Sequence, residues 1–198
     1  MTEKKPLLKS DLQVYLLAGG HGKRAGGPKA WLPVEGVTLL EKQIAFLLKR
    51  YAPENIAVTI QDGWQKRCLK IDPKVVWVPE DPRDPPMAAL ITLIKKQPIR
   101  HWAFFYHVDM PVWEPELFEM LEKAVPAAEK EGLEAIAPSQ GGRKGHPVLL
   151  APQVGSVLVT LDPAKDRLDE WLRTRREGTI EVPFSCIHDN WNTMRQVG

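Results

Sequence analysis

Val14-Tyr15-Leu16-Leu17-Ala18-Gly19-Gly20-His21-Gly22-Lys23-Arg24-Ala25-Gly26-Gly27-Pro28-Lys29 is the stretch on which the fold turns. Its first four residues form a continuous apolar run of strand length, the pattern of a strand covered on both faces. The remainder packs five glycines and three cations into one strand-to-helix connection. Glycine lets a backbone take positive φ and bring its N–H groups against an anion, while Lys and Arg neutralise charge that amides alone cannot balance. The composition suits a polyphosphate. A solvated β–α turn would account for the glycines but not for Arg24 and Lys29 bracketing the loop.

Two other phosphate loops fit less well. Gly20-x-Gly22-x-x-Ala25 follows a strand and satisfies the GxGxxG/A pattern of dinucleotide-binding folds. That pattern needs a helix opening within the motif, and Gly26-Gly27-Pro28 is a poor helix start. A Walker A loop needs Ser or Thr after its Gly-Lys, and neither Gly22-Lys23 nor Pro28-Lys29 is followed by one.

Further along the chain, apolar runs of strand length recur at Val14 to Leu17, Ile56 to Ile60, Val75 to Val78, Trp102 to His107, Ala135 to Ala137 and Val148 to Leu150. Helical patterns lie between them, and the alternation predicts a largely parallel α/β sheet. Thr38-Leu39-Leu40-Glu41 has capping-box spacing, with Leu40, Ile44, Leu47 and Leu48 on one stripe, so a helix is expected from Leu39 to about Lys49. Others are expected at Met87 to Lys96, Glu116 to about Lys123, Val154 to Leu161 and Asp166 to Glu177, with Pro115 and Pro152 suited to first turns. Prolines concentrate in the connection Pro79 to Pro86, which reads as a stiffened loop. Trp31, Trp77, Trp102 and Trp171 fall mostly in predicted elements, where large aromatic side chains fill the core or cover its rim.

The whole chain, 1–198, reads as a single domain, with 198 residues and 43% hydrophobic content enough to bury a substantial core. Basic and acidic residues number 27 and 25, a balance that predicts no nucleic-acid partner and no membrane surface. Cys68 and Cys186 lack CxxC spacing, and Met1 to Pro6 carries no apolar signal core. A reduced, cytoplasmic protein is expected. No apolar run reaches the roughly 18 to 20 residues that span a bilayer.

One carboxylate matters most. Asp109 follows the apolar stretch Trp102 to Val108 and is expected at a strand's carboxyl end, the edge where open α/β sheets place ligands and where the glycine-rich loop also emerges. Magnesium takes oxygen ligands and often needs only one or two carboxylates besides phosphate and water, so Asp109 is the candidate anchor. Its position before Met110-Pro111 also suits a plain turn carboxylate.

Leu17-Ala18-Gly19-Gly20-x-Gly22-x-Arg24-x-Gly26-x-Pro28-Lys29, followed by Leu32-Pro33-Val34-x-Gly36 and Leu39-Leu40-Glu41, resembles the MobA-like NTP transferase family, which includes the molybdenum cofactor guanylyltransferases and cytidylyltransferases. The resemblance continues through Val108-Asp109-Met110-Pro111 and Gly145-His146-Pro147-Val148 to Asn190-Trp191-Asn192-Thr193. Only three residues separate Arg24 from Pro28, a short spacing that favours this branch over sugar-nucleotide pyrophosphorylases. Ala25 stands where the family often has a larger apolar residue, and Pro85-Pro86-Met87-Ala88 where Gly-Pro-Leu-Ala is more usual.

What the resemblance implies is concrete. The fold would be a three-layer, Rossmann-like, mostly parallel sheet of the nucleotide-diphospho-sugar transferase type. GTP or CTP would bind at Leu17, Ala18, Gly19, Gly20, Gly22, Arg24 and Lys29. Lys29 would meet the α-phosphate and Arg24 the outgoing β- and γ-phosphates, while Asp109, with Asn192 or Asp189, would hold Mg2+. Arg143 and His146 would face an anionic acceptor, molybdopterin, whose phosphate attacks the α-phosphorus as pyrophosphate leaves. Motifs of the guanylyl and cytidylyl branches are mixed here, so the base stays open. Two alternatives accompany this reading: transfer to a sugar phosphate or other phosphorylated acceptor, and a nucleotide-binding regulator without turnover.

Overall fold

The computed structural model describes residues 11–22 and 26–191. Arg24, Lys23, Ala25, Asn192 and Thr193, which carry part of the expected motifs, lie outside the described residues.

The strand read from Val14-Tyr15-Leu16-Leu17 is β1 (Gln13–Leu17), and all five of its side chains are buried. Successive strand residues point to opposite faces, so complete burial means that both faces are covered and the molecule has three layers. β1 pairs in parallel with β4 (Ile56–Gln61) on one side and with β6 (Ala103–His107) on the other, Leu17 standing opposite Thr59 and His107. β5 (Val76–Glu80) forms one edge beyond β4, and Pro79 sits there without removing a ladder bond from a central strand.

Beyond β6 the sheet is mixed. β9 (Val148–Leu150) runs antiparallel between β6 and β7 (Ala135–Gln140), the short β8 (Arg143–Lys144) pairs with β7, and β10 (Glu177–Glu181) closes the far edge in parallel with β7. The order along the sheet is β10-β7-β9-β6-β1-β4-β5. The chain leaves β1 toward β4 but returns on the other side of β1 to make β6. The connections after these two neighbours therefore part in opposite directions, which opens a crevice at their carboxyl ends.

Among the described residues the connection after β1 contains a 3-10 turn, Lys29–Trp31, then the small hairpin of β2 (Pro33–Val34) and β3 (Val37–Thr38), then α1 (Leu39–Leu48). The capping box read from the sequence is present. The Thr38 hydroxyl accepts from Glu41 N–H at 3.3 Å and the Glu41 carboxylate accepts from Thr38 N–H at 2.7 Å. The Thr38 hydroxyl also meets the Glu41 carboxylate at 2.6 Å, and this side-chain bond, followed by the one from Thr38 N–H, holds the Glu41 carboxyl below its usual range.

Three expectations need correction. The helix expected to end near Lys123 is α4 (Pro115–Glu131), which continues through Pro126 to a left-handed Gly132. Pro126 costs the helix one N–H, but tertiary anchors flank it. Glu122 accepts from Arg50 Nε at 2.8 Å and Tyr51 Oη at 2.6 Å, and Glu129 accepts from Trp102 Nε1 at 3.1 Å. The helix expected over Asp166 to Glu177 is only α6 (Leu168–Leu172), because Glu177 begins β10. Val154 to Leu161 becomes α5 (Pro152–Leu158). The remaining helices are α2 (Gln65–Cys68) and α3 (Pro86–Lys96). Among the described residues no helix is long and apolar enough to cross a membrane.

Thr38→Ala removes the cap from α1 and is expected to lower unfolding free energy by about 1 kcal/mol. The urea midpoint, with an unchanged slope, measures it.

Candidate active site

The crevice is built from both sides. On the β1 side, Leu17 C=O accepts from Val108 N–H at 2.9 Å, tying the ends of β1 and β6 together. Ala18 N–H is shared between the carbonyl of Thr59 at 3.2 Å and its hydroxyl at 3.1 Å. The loop then passes so close to Glu80 that a Cβ on Gly19 would run into its carboxylate. Gly22 has a φ of 61°, a Cβ there would strike the carbonyl of Gly27, and Gly27 N–H bonds back to Gly22 C=O at 3.2 Å. Only glycine satisfies the close approach at 19 and the combination at 22.

On the β6 side, Asp109 sits just past the strand, as its place after an apolar run implied. Its carboxylate pairs with Lys29 Nζ across the crevice. The two side chains are 12% and 19% exposed, so each charge is largely withdrawn from water and compensated by the other. The backbone around Asp109 is held as firmly. Gln43 Nε2 donates to Val108 C=O at 3.1 Å and Met110 C=O at 2.9 Å, and Asp109 C=O accepts from Trp191 N–H at 2.7 Å.

A cavity of about 340 Å³ opens between these groups, lined by Leu17, Ala18, Gly20, Gly22, Lys29 and Asp109. Five residues expected to bind nucleotide and the expected metal carboxylate thus line one cavity, while Gly19 stands against Glu80. Glu80 also lines it, and sequence reading did not single this residue out. Burial raises its carboxyl to about 7, partly offset by a hydrogen bond to the Thr59 side chain, and its Oε2 is buried without a partner.

A larger cavity of about 740 Å³ adjoins the first, with His107 and Pro86 common to both linings. Phe105, Met110, Val148 and Leu172 give it apolar walls, and Lys144, Arg167 and Arg173 stand among its charged residues. His146 lines it. Arg143 is exposed on β8 and does not line it; its neighbour Lys144 does, paired with Glu177. Side chains alternate along a strand, so adjacent residues of β8 cannot share a face. Burial lowers the pKa of His107, and that of His146 falls to about 4 through burial first and His107 second. His146 is therefore neutral near pH 7.

The sheet order and its loop-bearing crevice define the nucleotide-diphospho-sugar transferase fold of nucleotidyltransferases. Residues 14–179 match the MobA-like NTP transferase domain, and the chain belongs to that family of nucleotidyltransferases. Solved structures agree on the fold. Molybdopterin-guanine dinucleotide biosynthesis protein A from Archaeoglobus fulgidus superposes with a TM-score of 0.62 at 21% identity, over 86% of this chain and 84% of that one. Rv0371c from Mycobacterium tuberculosis H37Rv, in complex with manganese, gives 0.65 at 18% identity, over 88% and 89%. The inositol-1-phosphate CTP transferase of T. maritima gives 0.60 at 13% identity, over 88% and 87%. No curated protein matches the chain.

An unfolded histidine takes its proton near pH 6.5, whereas His146 in the fold takes it near 4. Between these values the unfolded state binds more protons, so this residue's contribution to stability is lost as pH falls. In His146→Gln the decline in unfolding free energy from pH 6.5 to 4 should be shallower than in the parent, as read from urea denaturation at each pH; equal slopes would contradict the assignment.

Proposed function

We propose that this nucleotidyltransferase transfers GMP or CMP from the triphosphate to the phosphate of molybdopterin and releases pyrophosphate. The observation that carries the reading is the Lys29–Asp109 pair lining a small glycine-lined cavity, which shares Pro86 and His107 with a larger, partly apolar one. The first has the chemistry of a triphosphate site, and the second has room for the body of a phosphorylated acceptor. A family that includes molybdenum cofactor enzymes, and a neighbour named for molybdopterin-guanine dinucleotide biosynthesis, support this acceptor.

In the reaction an acceptor phosphate oxygen forms a bond to the α-phosphorus while the bond to the β-phosphate oxygen breaks. Negative charge spreads over the departing pyrophosphate, so the protein's work is positioning and charge stabilisation. Lys29 exchanges part of its bond to Asp109 for the α-phosphate oxygens. The amides of Gly19, Gly20 and Gly22 follow the phosphate chain, and Arg24 meets the leaving group. Neutral His146 faces the acceptor, with Arg143 further out.

A hard divalent cation fits the donors present. Among the described residues no group of three His, Cys, Asp or Glu side chains forms a metal cage, so a cation at Asp109 would draw most of its ligands from phosphate and water, the habit of Mg2+. Asp109 would hold it, with Asn192 as a second oxygen donor, and the bound ion would supply positive charge to the phosphate oxygens. The manganese complex of the mycobacterial neighbour is in keeping with a divalent ion here.

Transfer to another phosphorylated acceptor is the second reading, favoured by the fold shared with an inositol-1-phosphate CTP transferase. Pyrophosphate release with GTP and with CTP, each offered molybdopterin or a sugar phosphate, separates the two. A chain that binds triphosphate but releases no pyrophosphate with any acceptor would instead be a nucleotide-binding regulator. Lys29→Ala should lower the rate of pyrophosphate release by the folded enzyme about a hundred- to a thousandfold, the usual cost of losing one preorganised electrostatic group, and should also lower the unfolding midpoint because Asp109 loses its partner. An unchanged rate would remove Lys29 from the chemistry.

A further inference from the structure

Gln43 lies on α1, is completely buried, and sits beside the strand end that carries Asp109. A buried amide must satisfy two donor hydrogens and a carbonyl, and Gln43 satisfies all three. Nε2 donates to the carbonyls of Val108 and Met110, the residues on either side of Asp109, and Oε1 accepts from Trp113 Nε1 at 3.0 Å. The indole nitrogen is a donor only, so Oε1 must face it and both amide hydrogens are committed to the Asp109 turn.

The same helix is tied to the other half of the crevice. Leu39 N–H, at its first turn, bonds to Leu32 C=O at 2.8 Å, and Leu32 N–H bonds to Lys29 C=O at 3.1 Å. Trp113 is itself fixed, under the ammonium of Lys42 at 4.1 Å and edge-to-face with Trp191 at 5.7 Å. Trp191 N–H in turn holds Asp109 C=O.

We infer that Gln43 is a positioning residue for the Asp109 carboxylate, clamping the carbonyls of the residues before and after it so that the carboxylate meets a phosphate-borne divalent cation in one fixed orientation. The inference rests on the reading of Asp109 as the metal anchor. Groups that orient a metal ligand commonly carry ten- to a hundredfold of the metal affinity when removed. Gln43→Met keeps the length of the side chain and removes every hydrogen bond. Trp113→Phe keeps an aromatic six-membered ring while removing the indole N–H together with the ring that carries it.

Mn2+ binding to the full chain, followed by electron paramagnetic resonance with the α,β-methylene analogues of GTP and CTP present, tests this without turnover. Gln43→Met should weaken Mn2+ binding about ten- to a hundredfold, and Trp113→Phe should weaken it by less. Mn2+ affinity equal to the parent's in a cooperatively folding Gln43→Met variant overturns the inference. If that variant does not fold, unchanged affinity in Trp113→Phe overturns it. Asp109→Asn keeps the two readings apart: parental Mn2+ binding there sinks the metal site and the clamp together. Loss of Mn2+ in Asp109→Asn with retention in Gln43→Met sinks the clamp alone.

Discussion

The Lys29–Asp109 ion pair organises this molecule, and it exists because of a topological constraint. β1 and β6 are neighbours whose onward connections travel to opposite halves of the sheet. Nothing in the regular ladder bridges the gap this leaves, and the pair spans it with two residues 80 apart in sequence. Withdrawing both charges from water is costly, and each is tolerable only because of the other. The arrangement keeps Lys29 aimed into the crevice.

Around that pair the backbone is fixed by groups from three directions: Thr59 on β4, Gln43 on α1 and Trp191 near the end of the described chain. These are hydrogen bonds to main-chain atoms, which set position without adding charge to the crevice. Charge is left to a few side chains, Lys29 and Asp109 inside and Glu80 against the loop. The neutral histidines 107 and 146 stand toward the adjoining cavity, where burial suppresses their protonation. The geometry thus sets a small compartment holding the Lys29–Asp109 pair beside a larger one that combines apolar walls with charged side chains such as Lys144, Arg167 and Arg173.

What sequence made legible is local. The glycine-rich loop, the apolar run that makes β1, the Thr38–Glu41 cap and the position of Asp109 after a strand each depend on residues within a few places of one another. Trp77, Trp102 and Trp171 are buried as aromatic residues in regular elements tend to be. The misses are all long-range. Glu177-Gly178-Thr179-Ile180-Glu181 is too polar to announce a strand, and becomes one because β7 offers an edge and Gly178 clears the side chain of Leu133. α4 outruns Pro126 because Arg50, Tyr51 and Trp102 anchor it on either side. Gln43 and Glu80 carry no motif, and their importance comes from carbonyls and a glycine that folding brings to them. Arg24 and Asn192 lie outside the described residues, so the structure leaves those two roles as the family resemblance drew them.

The stitching of residues 187–191 into the crevice has a consequence for biogenesis. Ile187 C=O takes the N–H of His146, and Trp191 N–H reaches Asp109 C=O, so the backbone at two lining residues is held by chain synthesised long after the glycine-rich loop. During translation β1, β4, β5 and β6 emerge early and can pair, yet the nascent sheet presents an unfinished pocket until that late segment has left the ribosome. Fixing of the Asp109 and His146 backbones therefore waits on the emergence of residues 187–191.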